Sequence, residues 1–320
     1  MGNKSSIWKK LYRFLFIIRK ESEMKLYGFN HIIREYTGFP SWLALPCHME
    51  HGWTALDKPL NSDLIMAETK PLMLVFSKRR ADEWKEKSNT PVVIMGAPFI
   101  HYRKMHNIEV KKEANGTIAF PSHSCENLKS VFNISMYCDQ LLALPEEFHP
   151  ITVCLHDHDI KLGRKNTFQK KGLNVVSAGD VLSPLFAKKF YEILSSCLYT
   201  TSNAIGSYTF YSVEMGIPFF IHGQTPIMIN NGRDYNVPMD YSISSFNYGD
   251  FAQKIFTTGP TKVITKKQRF FVQEELGSSS CLSGKNIMHM LIKVKAIEGL
   301  IIIKTLILES GKYIFTKFVK

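Results

Sequence analysis

LYTTSNAIGSYTFYSVEMGIPFFIHG, residues 198–223, reads as strand end, tight turn, helix, stop and strand. A strand is expected over Cys197–Thr200, a helix from about Ser207 to Met215, and a buried strand over Phe219–Ile221. Gly216 suits the position just past a helix C-terminus, and Pro218 blocks continuation. Thr201, Ser202 and Asn203 precede the helix with hydroxyl and amide groups, and Gly206 lets backbone approach a ligand closely. A helix opening from such a turn attracts anions, because its free N–H groups and its dipole point the same way. A phosphate-bearing ligand would suit it, and so would an ordinary capped crossover with no ligand.

Outward from that stretch the pattern alternates. Strands are expected at Thr117–Phe120, Ile151–Leu155 and Asn174–Ser177. Helices are expected at Glu126–Phe132, Lys165–Lys171 and Pro184–Ser195. Strict strand–helix alternation implies a parallel sheet with helices on both faces, and ligands in such sheets bind beyond the carboxyl ends of the strands. Upstream, short apolar pieces at Trp42–Leu45, Asp63–Met66, Leu72–Phe76 and Pro91–Met95 suggest a smaller α/β unit. The charged stretch Lys78–Lys87 between the last two is helix or surface loop. The polar run 103–115 is placed as the linker. The expected organisation is a basic amphipathic segment at 1–22, an N-terminal α/β domain at 23–112, a C-terminal α/β domain at 113–275 and an irregular basic segment at 276–320. Residues 7–20 place Trp8, Leu11, Tyr12, Leu15 and Ile18 at helical spacing with lysines and arginines mostly opposite, a profile that suits an anionic membrane surface or packing on the protein body.

The chain has 320 residues and a net charge of +12, with a pI near 9.3. With 45% hydrophobic and 12% aromatic residues it can bury real cores. The charge points to anionic partners without choosing among them. Six scattered cysteines with no CxxC argue for reduced thiols and a cytoplasmic setting. No uncharged apolar run reaches the roughly 20 residues that span a bilayer.

Three constellations carry potential chemistry. His48-Met-Glu-His51-Gly-Trp-Thr54 lies between Pro46 and Gly52, so a single histidine in a cleft-facing loop, poised to accept a proton, is a simpler reading than a zinc pair. Phe120-Pro-Ser122-His123-Ser124 ends a strand and places donors at the sheet's carboxyl edge. His156-Asp-His-Asp159 follows another strand, where alternate side chains point oppositely while the chain stays extended. There is no GxSxG elbow and no GxGxxG turn after a strand, so a Ser-His-Asp hydrolase is unsupported and a dinucleotide fingerprint is absent. Gly277–Lys285 is not a Walker A loop, since Asn286 follows the lysine.

As a set, HGWT (51–54), FPSHS (120–124) and TSNAIGSYTFYSVEMGIPFF (201–220) resemble GT-B type transferases of bacterial surface polysaccharide synthesis, with CDP-glycerol glycerophosphotransferases a related branch. The segment CLHDHDIKLGRKNTFQKKGLNVVSAG (154–179) resembles surface-carbohydrate transferases. The resemblance spans about residues 45–225. It implies a GT-B-like α/β fold of two Rossmann-like domains, the N-terminal one reduced. It implies His51 as the base that deprotonates an acceptor hydroxyl. Ser122, His123 and Ser124 would contact the donor, and Thr201, Ser202, Asn203, Gly206 and Ser207 would cradle its diphosphate. Glu214 would reach ribose or sugar hydroxyls.

The activity so implied moves a sugar from a nucleotide-activated donor to a surface polysaccharide or lipid-linked acceptor, with no metal and no cofactor. The partners would be that donor, a glycan or polyprenyl-linked acceptor and an anionic membrane, with no nucleic acid. The protein would be cytoplasmic and peripheral on the inner face of the membrane. Two other classes remain open on sequence: a non-catalytic binder of nucleic acid or another polyanion, and a metal-dependent hydrolase built on His156–Asp159.

Overall fold

A computed structural model describes residues 24–318 apart from 57, 69 and 233–236, with no side-chain description at 66–68, 301–303 and 305–318. The expected membrane-facing helix at 7–20 lies outside the described residues.

The larger sheet has six strands, all parallel. They are β4 (Thr117–Ala119), β6 (Ile151–Cys154), β7 (Asn174–Val176), β8 (Tyr199–Ser202), β9 (Phe219–Ile221) and β12 (Thr257–Thr258). In space they run β12-β9-β8-β4-β6-β7. Numbered by chain order within the sheet this is 3-2-1-4-5-6, the order of a doubly wound nucleotide-binding sheet. Thr117 of β4 pairs with Ile151 on one side and Tyr199 on the other. The order therefore reverses between β4 and β8.

A second parallel sheet of three strands serves the N-terminal half: β1 (His48–Met49), β2 (Met73–Val75) and β3 (Val92–Ile94). The chain is thus α/β with two parallel sheets, the N-terminal one reduced. A third, antiparallel sheet joins β5 (Leu128–Val131), β10 (Ile227–Asn230) and β11 (Asp240–Tyr241). A helix was expected over Glu126–Phe132. Its core forms β5 instead, because Ser130 faces inward while Lys129 and Val131 are exposed, a two-residue alternation too short for a helical face.

Local chemistry accounts for the principal helices. Helix α1 (Phe29–Thr37) buries Phe29, Ile32 and Ile33 and stops at Gly38, whose N–H bonds Arg34 O at φ +73°. Helix α2 (Asn61–Glu68) takes up the piece expected at Asp63–Met66. Helix α3 (Lys78–Lys87) is capped by the Ser77 hydroxyl and, despite its charge, buries Arg80, Ala81 and Trp84. Pro98 opens α4 (Pro98–Met105), into which the first residues of the expected linker run. Helices α5 (Ile134–Leu142), α6 (Asp157–Lys161) and α7 (Arg164–Lys170) flank β6. Helix α8 (Phe186–Leu194) buries Ala187, Phe190, Tyr191 and Leu194 on one face. Helix α9 (Ser207–Glu214) follows β8, and α10 (Asn247–Ile255) and α11 (Lys266–Glu275) complete the half. The segment expected to be irregular from 276 onward is helical over α12 (Gly284–Phe318), anchored by buried Ile287 and Leu291.

One continuous apolar core runs from Phe29, Ile33 and Phe76 of the N-terminal half to Phe190, Tyr211 and Val272 of the C-terminal half. Charge crosses the same seam. Glu50 is fully buried and accepts from Arg80 Nε at 2.7 Å and from the Phe76 amide at 2.5 Å. Arg80 also bonds Glu83, which holds Arg79 at 2.5 Å. Arg79 then reaches Glu275 of α11 through Nε at 2.9 Å and Nη2 at 2.7 Å. Burial raises the Glu50 carboxyl above the usual range, and the Arg80 guanidinium opposes that rise. Arg80→Met would strand Glu50 and should cost about 3–5 kcal/mol in urea unfolding, with Glu50→Gln added to it recovering part of the loss.

His101 donates Nε2–H to Met95 O at 2.7 Å and stacks on Tyr36 at 3.8 Å between centroids. Burial pushes its imidazole down from 6.5 to about 4. The folded protein therefore keeps this ring neutral where the unfolded chain would protonate it. Its contribution is complete above pH 6.5 and fades as the pH falls toward about 4, up to roughly 3 kcal/mol. His101→Gln should flatten the fall of the urea midpoint across that window.

Candidate functional site

The reversal of strand order leaves a crevice at the carboxyl ends of β4 and β8, where doubly wound sheets bind ligands. The loops leaving those strands are Phe120–Ser124 and Asn203–Gly206. A cavity of about 330 Å³ opens there and is also lined by His51, Gly52, Trp53 and Thr54 of the N-terminal half. Both halves thus contribute to one space, floored by the switch point and walled by the loop that follows β1.

The β1 loop is held in two places. Asp63 of α2 accepts the His51 amide through Oδ2 at 3.1 Å and contacts His48 Nε2 through Oδ1 at 3.3 Å. Trp53 binds across the seam. Its amide donates to Ser207 Oγ at 3.3 Å, its indole N–H to Glu275 at 2.8 Å, and its ring packs on Phe210 at 4.9 Å. Gly52 makes this approach possible, with φ +141° and a would-be Cβ 3.2 Å from Ser207 Oγ.

Five expected site residues line the cavity: His51, Ser122, His123, Gly206 and Ser207. Gly206 caps α9 with extended backbone, and a Cβ there would stand 2.9 Å from the Tyr208 ring. The N-terminus of α9 accordingly faces the cavity, with the positive end of its dipole at the crevice.

The other five do not line the cavity. Strand β8 runs two residues later than expected, so Thr201 and Ser202 lie in the sheet. Thr201 Oγ1 donates to Phe220 O at 2.9 Å, while Ser202 Oγ meets Tyr208 OH at 2.8 Å and accepts the Ala204 amide at 3.1 Å. Asn203 is buried and ties loops together, accepting the Ser122 amide at 2.9 Å and donating to Gln224 O at 3.1 Å. Ser124 is buried as well. Its amide donates to Asp159 and its Oγ accepts from the Ser130 amide. These four are buried and bonded within the frame. Glu214 sits at the far end of α9, bonded twice to Arg103 at 2.7 and 2.8 Å, outside the cavity.

The His156–Asp159 segment does not stay extended. His156 caps α6, its Nδ1 accepting the His158 amide at 3.2 Å, so the neutral ring carries its proton on Nε2. Asp157 pairs with Lys161, and buried Asp159 pairs with Arg164 at 3.1 Å. Among the described residues no three His, Cys, Asp or Glu side chains converge. The carboxylates that a metal hydrolase would need are engaged elsewhere. His156 instead lines the cavity and stacks on His123, centroids 4.4 Å apart and planes 14° from parallel. Burial, with His158 adding to it, lowers its imidazole to about 4.

The residues missed from sequence are aromatic or distant in the chain. Tyr208 stacks on Phe120 at 5.1 Å and bonds Ala204 O at 2.9 Å, bracing the turn. Tyr27 meets His51 in a T-shaped contact with ring centroids 5.8 Å apart. The proximity of Tyr208 to Gly206 was readable as a helix-start contact, whereas nothing local links Tyr27 to His51.

No family model and no curated protein matches the chain. Solved structures of similar arrangement include Staphylococcus aureus MnaA with UDP (14% identity, 68% of this chain, 63% of that one, TM-score 0.38). Another is the wall teichoic acid polymerase TagF with CDPG (8%, 73% and 58%, 0.37). A third is UDP-GlcNAc 2-epimerase from Neisseria meningitidis bound to UDP-GlcNAc (10%, 94% and 89%, 0.39). The chain thus spans less than two thirds of the length of the first two. At such scores no residue role and no activity transfers to this chain.

Gly52→Ala should cost about 1–3 kcal/mol, because it combines an unfavourable φ with the close Ser207 contact. Gly38→Ala, in the left-handed helical region at φ +73° with nothing within 4 Å, should cost less. Equal losses in urea unfolding would mean that the seam at Trp53–Ser207 is loose.

Proposed function

We propose that this chain is a GT-B-type glycosyltransferase that binds a nucleotide-activated sugar at the β4/β8 switch point and passes the sugar to a hydroxyl acceptor. The observation that carries this reading is the shared cavity. The switch point and the N-terminus of α9 meet His51 from the opposite half across one space. Residues 113–275 would serve as the donor side and 23–112 as the acceptor side.

In the reaction the acceptor oxygen attacks the anomeric carbon and a new C–O bond forms. The bond from that carbon to the diphosphate breaks, and the nucleoside diphosphate leaves with the electron pair. The acceptor proton passes to His51. The leaving diphosphate would rest at Gly206 and Ser207, where the helix dipole and backbone donors are already oriented. His123 and His156 offer imidazole groups at the same edge. Ser122, held by Asn203 and by the Ser130 hydroxyl at 3.0 Å, would fix the sugar or its phosphate.

The acceptor would be a glycan or a polyprenyl-linked unit of a surface polymer, met at the inner face of the membrane. Exposed Ile292, Ile297 and Leu300 on α12, with Lys293 and Lys304 nearby, support such a peripheral placement. Among the described residues no helix is long and apolar enough to cross a membrane.

A thermal-shift panel of UDP, CDP, GDP and their sugar conjugates tests the donor reading. Saturation at about 100 times Kd should stabilise by about 2.7 kcal/mol. His51→Ala should retain that shift and lose turnover by about 100-fold or more. Normal turnover in the variant would remove His51 from the mechanism.

A further inference from the structure

The cavity extends well beyond the switch point. It follows the carboxyl edge of four neighbouring strands, with Gly206 after β8, His123 after β4, His156 after β6, and Ser177 and Gly179 after β7. Its two ends are unlike. At the β8 end stand the N-terminus of α9 and the loop of His51, whose Gly52 and Trp53 amide both lie against Ser207 Oγ. Toward the other end His123 and His156 stack, and the cations beside His156 are already paired, Lys161 with Asp157 and Arg164 with Asp159.

That asymmetry gives a bound nucleotide-sugar one direction. Its reacting carbon must meet His51 and its diphosphate the N-terminus of α9, so both belong over β8. The nucleoside is the part left to extend across β4 toward β6. Two strand spacings, about 10 Å, separate β8 from β6. That is the reach from a diphosphate to its ribose and base.

His156 meets whatever lies there with one kind of group. Its Nδ1 accepts the His158 amide at 3.2 Å and caps α6, so Nε2 carries the proton. Among the described residues Nε2–H has no partner. Burial keeps the ring uncharged at neutral pH. A neutral N–H whose tautomer is fixed can donate and not accept. It suits a neutral oxygen, whereas a phosphate is better held by cations and helix N-termini.

We infer that His156 is a specificity-determining residue for the nucleoside, donating Nε2–H to a ribose hydroxyl or a base carbonyl while the diphosphate lies at α9. The inference rests on the donor reading above and adds to it a direction for the ligand and a residue that reads its uncharged end. His123 holds the imidazole by its face, and the His158 amide holds it by its edge.

The test is calorimetric titration of the full chain with UDP, CDP, GDP and inorganic pyrophosphate. Two substitutions separate the ligand role from the cap. His156→Asn keeps an acceptor for the His158 amide and withdraws the donor from the cavity. It should hold its thermal midpoint and bind the preferred nucleotide about five- to tenfold more weakly, with pyrophosphate unchanged. His156→Gln reaches to the Nε2 position with an amide donor and caps poorly. It should recover most of the nucleotide affinity at a lower thermal midpoint. The 2′-deoxy and 3′-deoxy forms of the preferred nucleotide then distinguish the two oxygens. Weakened binding of either to the wild-type chain assigns the ribose, and unchanged binding assigns the base carbonyl. A nucleotide that binds His156→Asn as tightly as the wild type overturns this inference and leaves the donor site standing. Equal weakening of pyrophosphate overturns it too, since His156 would then serve the phosphates. If the wild-type chain binds none of the three nucleotides, the donor reading falls and this inference falls with it.

Discussion

Glu275 is the residue on which the joint between the two halves depends. It is buried, yet it accepts two bonds from Arg79 of the N-terminal half and a third from the Trp53 indole. A buried carboxylate is tolerable only when its lone pairs are matched. Here matching them fixes α11 against α3 and the β1 loop at once. Arg79 also lies over the Tyr248 ring at 3.9 Å, which further desolvates and orients it. From Arg79 the charge chain continues through Glu83 and Arg80 to Glu50 at the end of β1. Such a chain adds more to geometry than to net stability, since burying ions cancels much of their attraction.

That joint matters because the cavity has no complete wall in either half. The switch point supplies Ser122, His123, Gly206 and Ser207. The β1 loop supplies His51 and Trp53. Trp53 belongs to both structures, lining the space and bonding Ser207 and Glu275 across the seam. The carboxylate network and the cavity are therefore mechanically one unit.

Several polar residues of the TTSNAIGS turn serve the frame instead of a ligand. With β8 ending at Ser202, the hydroxyls of Thr201 and Ser202 bond the neighbouring strand and Tyr208, and Asn203 binds the β4 and β9 loops. Their chemistry is what an anion site needs, and equally what a sharp buried turn needs. Burial decides between the two uses. Of the turn, Ile205, Gly206 and Ser207 line the cavity, and the last two stand where the helix dipole can act.

The sequence by itself determined the α/β class, the parallel character of the larger sheet and the strand-end polar segments at 51–54, 120–124 and 201–207. These are legible because strand–helix alternation, glycine and proline stops and strand-end polar clusters are local signals. His51, Ser122, His123, Gly206 and Ser207 could be named on that basis. The tertiary structure alone decided the rest. It turned Glu126–Phe132 from a helix into a strand, because the partner strand β10 lies about a hundred residues away. It ended α9 with Glu214 paired to Arg103 and converted His156 from an isolated strand-end residue into the stacking partner of His123. It also packed Tyr27, Phe99, Phe186 and Tyr211 into one aromatic cluster. Burial and long-range pairing are properties of what packs against a residue, and no local pattern records that neighbour.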